Sequence, residues 1–169
     1  MNRLQYFIPA LFLFSVFGCV KAPDFPNTPV LIYNTAEGDG FNQDTIIQGR
    51  QGNISDTLIL TFSFTDGDGD IGFERDSFDV FFIDSRVPSF EDNRRLPVIS
   101  DEGIGNGIEG KIILRFPNQP TAICCLNNDV VCGTSPNAVD TFSYTLQIRD
   151  RAGNLSNRIQ TETVTIRCD

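Results

Sequence analysis

Between Leu58 and Thr65 the chain alternates without a break. Leu58, Leu60, Phe62 and Phe64 fall on one side, and Ile59, Thr61, Ser63 and Thr65 on the other. A period of two places the two sets on opposite faces of a pleated strand, whereas helical apolar residues recur at three and four. The pattern returns late in the chain, where Phe142, Tyr144, Leu146 and Ile148 alternate with Ser143, Thr145, Gln147 and Arg149. No convincing helical period occurs anywhere. The apolar runs are short and are separated by Gly, Asp, Asn and Pro, the residues that punctuate β structure.

Seven strands follow from this reading: 29–33, 58–65, 78–84, 96–100, 111–116, 142–149 and 159–168, with 45–48 able to form a further short one. Residues 78–84 are apolar on both faces, as a central strand requires. Seven short strands over this length predict an all-β, immunoglobulin-like antiparallel β-sandwich, and the unequal loops disfavour an up-and-down barrel. In that topology loops 66–77 and 150–158 lie at one end, and loop 117–140 lies at the other together with the end of the last strand.

The N-terminus reads differently. One positive charge, Arg3, precedes an apolar run from Tyr6 to Phe17. The run is shorter than the roughly 20 residues that a spanning helix needs, and it has the length of a secretory h-region. Ser15-Val16-Phe17-Gly18-Cys19 resembles a bacterial lipobox, with Phe17 where a smaller residue is commoner. Residues 1–18 are thus expected to be a lipoprotein signal peptide and Cys19 the lipidated mature N-terminus. Two or more acyl chains anchor a protein stably, where one does so only marginally. Residues 19–29 are the lipidated cysteine and a Pro-rich, semi-rigid tether carrying Pro23, Pro26 and Pro29. Residues 30–169 are the sandwich domain. Val20 follows the cysteine, where an inner-membrane retention signal would have Asp, so the outer membrane is the expected address. Asp24 is the only acid in the tether and leaves periplasmic face and cell surface undecided.

The formal net charge is −9. Losing Arg3 with the leader makes it about −10, which repels nucleic acid and anionic membrane surfaces. The chain has no histidine. That removes Ser-His-Asp and Cys-His catalysis and most catalytic zinc sites. Gly103, Gly105, Gly107 and Gly110 lack a Lys and a following helix, so they read as a flexible turn and not as a phosphate loop. There is no tryptophan, and the mature part has only Tyr33 and Tyr144, which disfavours a glycan-binding platform. A non-enzymatic role is expected.

Cys124, Cys125, Cys132 and Cys168 remain after Cys19. An exported protein is expected to oxidise them. A bond between the adjacent Cys124 and Cys125 would be strained, so one of them closes to Cys132 and the other reaches Cys168. The sandwich topology brings all four to one end. Zinc is disfavoured by the lack of histidine and of C-x2-C pairs.

The strongest local signal is Asp66-Gly67-Asp68-Gly69-Asp70-Ile71-Gly72. Alternating carboxylates on a Gly-rich loop can turn several oxygens toward one point, and hard cations such as calcium take six to eight oxygen ligands. The EF-hand pattern is not met, because Ile71 stands where that loop needs Gly. A second loop, Asp150-Arg151-Ala152-Gly153-Asn154, falls at the same end. Asp66, Asp68, Asp70, Asp150 and Asn154 are the candidate calcium ligands. The alternative is two ordinary turns, with Asp and Asn serving local hydrogen bonds.

The tether after a lipid cysteine, Phe62-Ser63-Phe64-Thr65 running into the acidic loop, and Asp150-Arg151-Ala152-Gly153-Asn154 resemble a group of Bacteroidota outer-membrane lipoproteins with one immunoglobulin- or cadherin-like domain. The resemblance implies a membrane-anchored protein with a binding or structural role, as an accessory subunit of an envelope assembly. A free-standing glycan- or nutrient-binding module is the alternative. The double-cysteine loop is not part of that pattern.

Overall fold

The computed structural model describes residues 24–48, 57–74, 77–99, 107–117, 123–127, 130–131 and 137–168. The leader, Cys19, the start of the tether and Cys132 lie outside these residues. In chain order the first strands are β1 (Val30–Ile32), β2 (Gly40–Phe41), β3 (Thr45–Ile47), β4 (Thr57–Asp66), β5 (Val80–Asp84), β6 (Glu91–Arg94) and β7 (Ile108–Pro117). A small hairpin of β8 (Leu126–Asn127) and β9 (Val130–Val131) follows, then β10 (Val139–Phe142), β11 (Tyr144–Ile148), β12 (Ile159–Gln160) and β13 (Val164–Arg167). The fold is all-β, as the alternation requires.

Two layers result. In the first, β4 pairs antiparallel with β7 along its whole length, from Thr57 opposite Pro117 to Asp66 opposite Ile108. β1 and β2 share the other edge of β4. In the second, β6, β5, β11 and β12 form one antiparallel run, and β10, β13 and β3 form another, with β3 parallel to β13. The two runs are continuous through one hairpin. Thr161 interrupts it, and its hydroxyl accepts from the Tyr144 N–H while its own N–H donates to the Tyr144 carbonyl. A β-bulge of this kind keeps the backbone groups paired where a strand bends.

The inward faces meet in a single core. Leu58, Leu60, Phe62 and Phe64 of β4 and Ile112, Leu114 and Phe116 of β7 pack toward Val80, Phe82, Phe142, Tyr144, Leu146 and Ile148. Phe116 bridges the layers, edge-on to Phe82 at 5.5 Å and stacked on Tyr144 at 5.3 Å between ring centroids. Leu60 is fully buried, and replacing it with Ala should cost about 2–5 kcal/mol.

Four local expectations need correction. No strand forms at 96–99. The strand in that part of the chain is β6, whose Glu-Asp-Asn-Arg run pairs with β5 through the backbone. β5 begins at Val80, because Asp79 is turned inward as a hydrogen-bond acceptor. β7 begins three residues earlier than the apolar run shows. Gly110 is therefore a strand residue opposite Phe64, not a turn, and a Cβ there would stand 3.2 Å from the Phe64 ring.

At one end of the sandwich the Cys125–Cys168 disulfide joins the loop after β7 to the residue after β13, with Cα atoms 5.9 Å apart. Cys124 is fully buried and also disulfide-bonded. Beside them Arg86 reaches Asp84 at 2.7 Å and Asp140 at 2.8 Å, donates to the Cys124 carbonyl and lies over the Phe142 ring. Arg86 thus ties the cysteine segment to β5 and β10.

Candidate metal centre

The opposite end carries the acidic loops. β4 ends at Asp66, and the chain then has to turn within a few residues. Ile71 is 1% exposed and belongs to the core, so it pins the far side of the turn. Between these fixed points the glycines give the loop its shape: Gly69 takes φ +72° and Gly72 φ +91°, a region that Cβ-bearing residues avoid. Gly72 also lies against the Pro97 carbonyl, closer than any Cβ would allow. The residue that breaks the EF-hand pattern is therefore a core plug.

The second loop follows β11 and meets the first through its backbone. The Arg151 N–H donates to the Asp70 carbonyl at 3.1 Å, and the Ala152 N–H to Asp70 Oδ2 at 2.9 Å. Arg151 Nη1 donates to the Gly72 carbonyl at 3.2 Å. Within the first loop the Asp70 N–H donates to Asp66 Oδ2 at 3.0 Å.

These contacts bring Asp66, Asp70 and Asp150 together, with one oxygen of each within 4.8 Å of the others. Asp66 and Asp150 are fully buried. Asp66 Oδ1, Asp68 Oδ1 and Asp70 Oδ1 are buried with no hydrogen-bond donor among the described residues. A buried polar atom without a partner is costly and needs an explanation. Burial first, then the charges of Asp68, Asp70 and Asp150, push the Asp66 carboxyl up to about 6, against the hydrogen bond from the Asp70 N–H. Burial and the charges of Asp150 and Asp68 also raise Asp70, with the Ala152 N–H and the Arg151 charge pulling the other way.

The donor set fits a hard cation. It is all oxygen. Ligands at 2.3–2.6 Å from one ion can be at most about 5 Å apart, and the three carboxylates meet that limit. Asp68 stands beside them as a like charge, but it is not one of the three that satisfy the mutual distance. Asn154 lies against Asp150, one of the three. It is exposed, and its backbone N–H (2.6 Å) and its Nδ2 (2.8 Å) both donate to Asp150. It braces the Asp150 carboxylate.

Asp79 at the start of β5 is a feature that sequence reading missed. It is fully buried, and its Oδ1 accepts from the Leu96 N–H at 2.7 Å while Oδ2 has no donor among the described residues. Burial raises its carboxyl, and backbone N–H groups offset part of that. The available signal was Asp79, an acid set between Phe78 and the apolar residues 80–83.

No protein-family description matches this chain, and neither a curated protein nor a solved structure does, so the geometry of these loops has to carry the functional reading.

Proposed function

We propose that the protein is a lipid-anchored, non-enzymatic lipoprotein of the bacterial outer membrane, and that its sandwich is an accessory subunit of an envelope assembly. Calcium, held by Asp66, Asp70 and Asp150 with Asp68 alongside, braces the anchored end of the domain. Its immunoglobulin-like strand order and its likeness to Bacteroidota lipoproteins belong to the same proposal. One observation carries the cation: buried Asp66 Oδ1 has no donor among the described residues, and Asp66 belongs to a carboxylate cluster built from two separate loops. The lipid anchor rests on the leader and on Cys19.

Calorimetry and thermal melting of the mature domain test the site. Extracellular-type calcium sites bind at about 0.1–1 mM. In 10 mM calcium the folded state should therefore gain about 1–3 kcal/mol. Equal melting midpoints in calcium and in excess chelator, with no heat of binding, would sink the cation reading. Affinity purification of the tagged lipoprotein from native membranes tests the assembly. Envelope proteins in fixed ratio support it, and a protein that emerges alone refutes it.

A further inference from the structure

The tether does not leave the sandwich freely. Before entering β1 it crosses the acidic loop, where the Gly67 N–H donates to the Pro26 carbonyl at 2.8 Å. The approach is close: a Cβ on residue 67 would stand 2.3 Å from the Phe25 carbonyl oxygen and 2.8 Å from the Pro26 carbonyl carbon. Both are backbone atoms that cannot swing aside, so the dock requires glycine at this position. Gly67 is also the residue between Asp66 and Asp68. The surface that receives the tether and the loop that gathers the carboxylates are thus one piece of chain.

We propose that residues 66–70 are a clasp for the N-terminal tether, closed by the divalent cation that the same loop binds; this rests on the cation reading above. Asp66 is held at the end of the β4 ladder, opposite Ile108. Asp150 is held by Asn154 and by its place after β11. Without a cation, the like charges repel across less than 5 Å. Asp70 is held by Asp66 and by the second loop, so residues 67–69, which carry Asp68, are the part of the span that gives. A shift of about 1 Å takes the Gly67 N–H beyond bonding distance of Pro26. A bound cation removes the repulsion and fixes the loop in the one position that fits Phe25 and Pro26.

Opening the clasp would not unravel β1. Asn157 accepts from the Leu31 N–H at 2.7 Å and donates to the Leu31 carbonyl at 3.0 Å, and β1 pairs with β4. Only the residues before Val30 are released. With lipid on Cys19, the closed clasp leaves a free reach of about 20 Å from the membrane to Phe25. The open one allows about 35–40 Å to Val30. The cation would therefore set how closely, and with which end down, the domain sits on the bilayer.

The test is hydrogen exchange at the Gly67 amide of the full-length lipoprotein in detergent micelles, in 5 mM calcium and in excess chelator, with calorimetry on the same sample. The expected result is calcium binding together with a loss of about tenfold or more in Gly67 protection on chelation. Calcium binding with unchanged Gly67 exchange overturns the clasp and leaves the cation site standing. No calcium binding overturns both. Gly67→Ala should make the amide of residue 67 exchange fast in either condition. Should that variant not fold, deletion of residues 23–26 removes the acceptor without touching the loop and should have the same effect. Persistent protection of residue 67 in the deleted chain would overturn the dock itself.

Discussion

The two ends of the sandwich gather buried charge in opposite ways. At the disulfide end Asp84 and Asp140 share one guanidinium, Arg86, with its side chain 10% exposed. At the acidic end Asp66, Asp70 and Asp150 converge, and the nearby cation, Arg151, spends its Nη1 on the Ile71 and Gly72 carbonyls. The carboxyl groups record the difference. Burial would raise Asp140, but the Leu126 and Thr141 N–H groups and Arg86 outweigh it and hold it below the usual range. Asp66 and Asp70 are raised. At one end the carboxylates share a cation supplied by the chain; at the other, on the reading proposed above, the cation comes from outside. A buried charge is tolerable only when it is paired, so the comparison makes the two ends respond oppositely to the same kind of change.

The largest effect is expected where compensation is internal. Arg86→Leu leaves two carboxylates without their partner and should cost about 3–5 kcal/mol, read as a fall in the urea midpoint with an unchanged slope. A loss below about 1 kcal/mol would mean that water serves this end as well, and the contrast would fail. Next comes the crosslink. Cys125 and Cys168 are 43 residues apart in sequence. Replacing both with Ala should lower stability by about 2–4 kcal/mol. The calcium affinity proposed for the far end should stay within threefold, because the two ends share no partners among the described residues.

The sandwich was legible where one face of a strand is buried and the other is wet. Leu58 to Phe64 and Phe142 to Ile148 could be read directly, because a slip of one residue would turn every apolar side chain outward. β6 was illegible for the same reason turned round. Glu91, Asp92, Asn93 and Arg94 bury no apolar face, and β6 exists because β5 offers it a backbone edge. β7 was read short because Ile108, Glu109 and Gly110 carry no alternation, yet Phe64 to Asp66 across the ladder hold them in register. Asp66, Asp70 and Asp150 were legible in type and spacing as acids on glycine-rich turns, although the same residues also serve ordinary turns. The role of Asn154 was not, because an amide can orient a carboxylate as readily as it can bind a cation, and only geometry separates the two.

At the acidic end a neutral substitution should change sign with the solvent. Asp66→Asn removes one repelling charge while keeping an oxygen for the Asp70 N–H. In chelator it should stabilise the fold by about 1 kcal/mol, the order of an exchanged hydrogen-bond or charge interaction. In 10 mM calcium it should be less stable than the parent by about 1–2 kcal/mol, because the gain from binding is lost. Paired melts of both proteins in both solvents check this. If Asp66→Asn destabilises equally in each, Asp66 is a structural acceptor and the acidic end needs no cation.

The smallest effect isolates burial from the cation. Asp79 lies outside the cluster, and burial raises its carboxyl. Its folded form therefore holds a proton at a pH where the unfolded chain has released it. Stability from this group is greatest below the ordinary carboxylate range and falls as pH rises through the raised value. Asp140 has the opposite sign, with a lowered carboxyl whose contribution is present above the ordinary range and lost as pH falls. Asp79→Asn keeps an oxygen for the Leu96 N–H. It should remove the decline toward neutral pH and gain about 1 kcal/mol at pH 7. Asp140→Asn should remove the acid-side loss while costing stability at pH 7. Urea unfolding from pH 3 to 7 in chelator separates the two slopes. If Asp79→Asn lowers stability at pH 7, the ionised carboxylate is satisfied in place, and burial at this end does not by itself create a demand for charge.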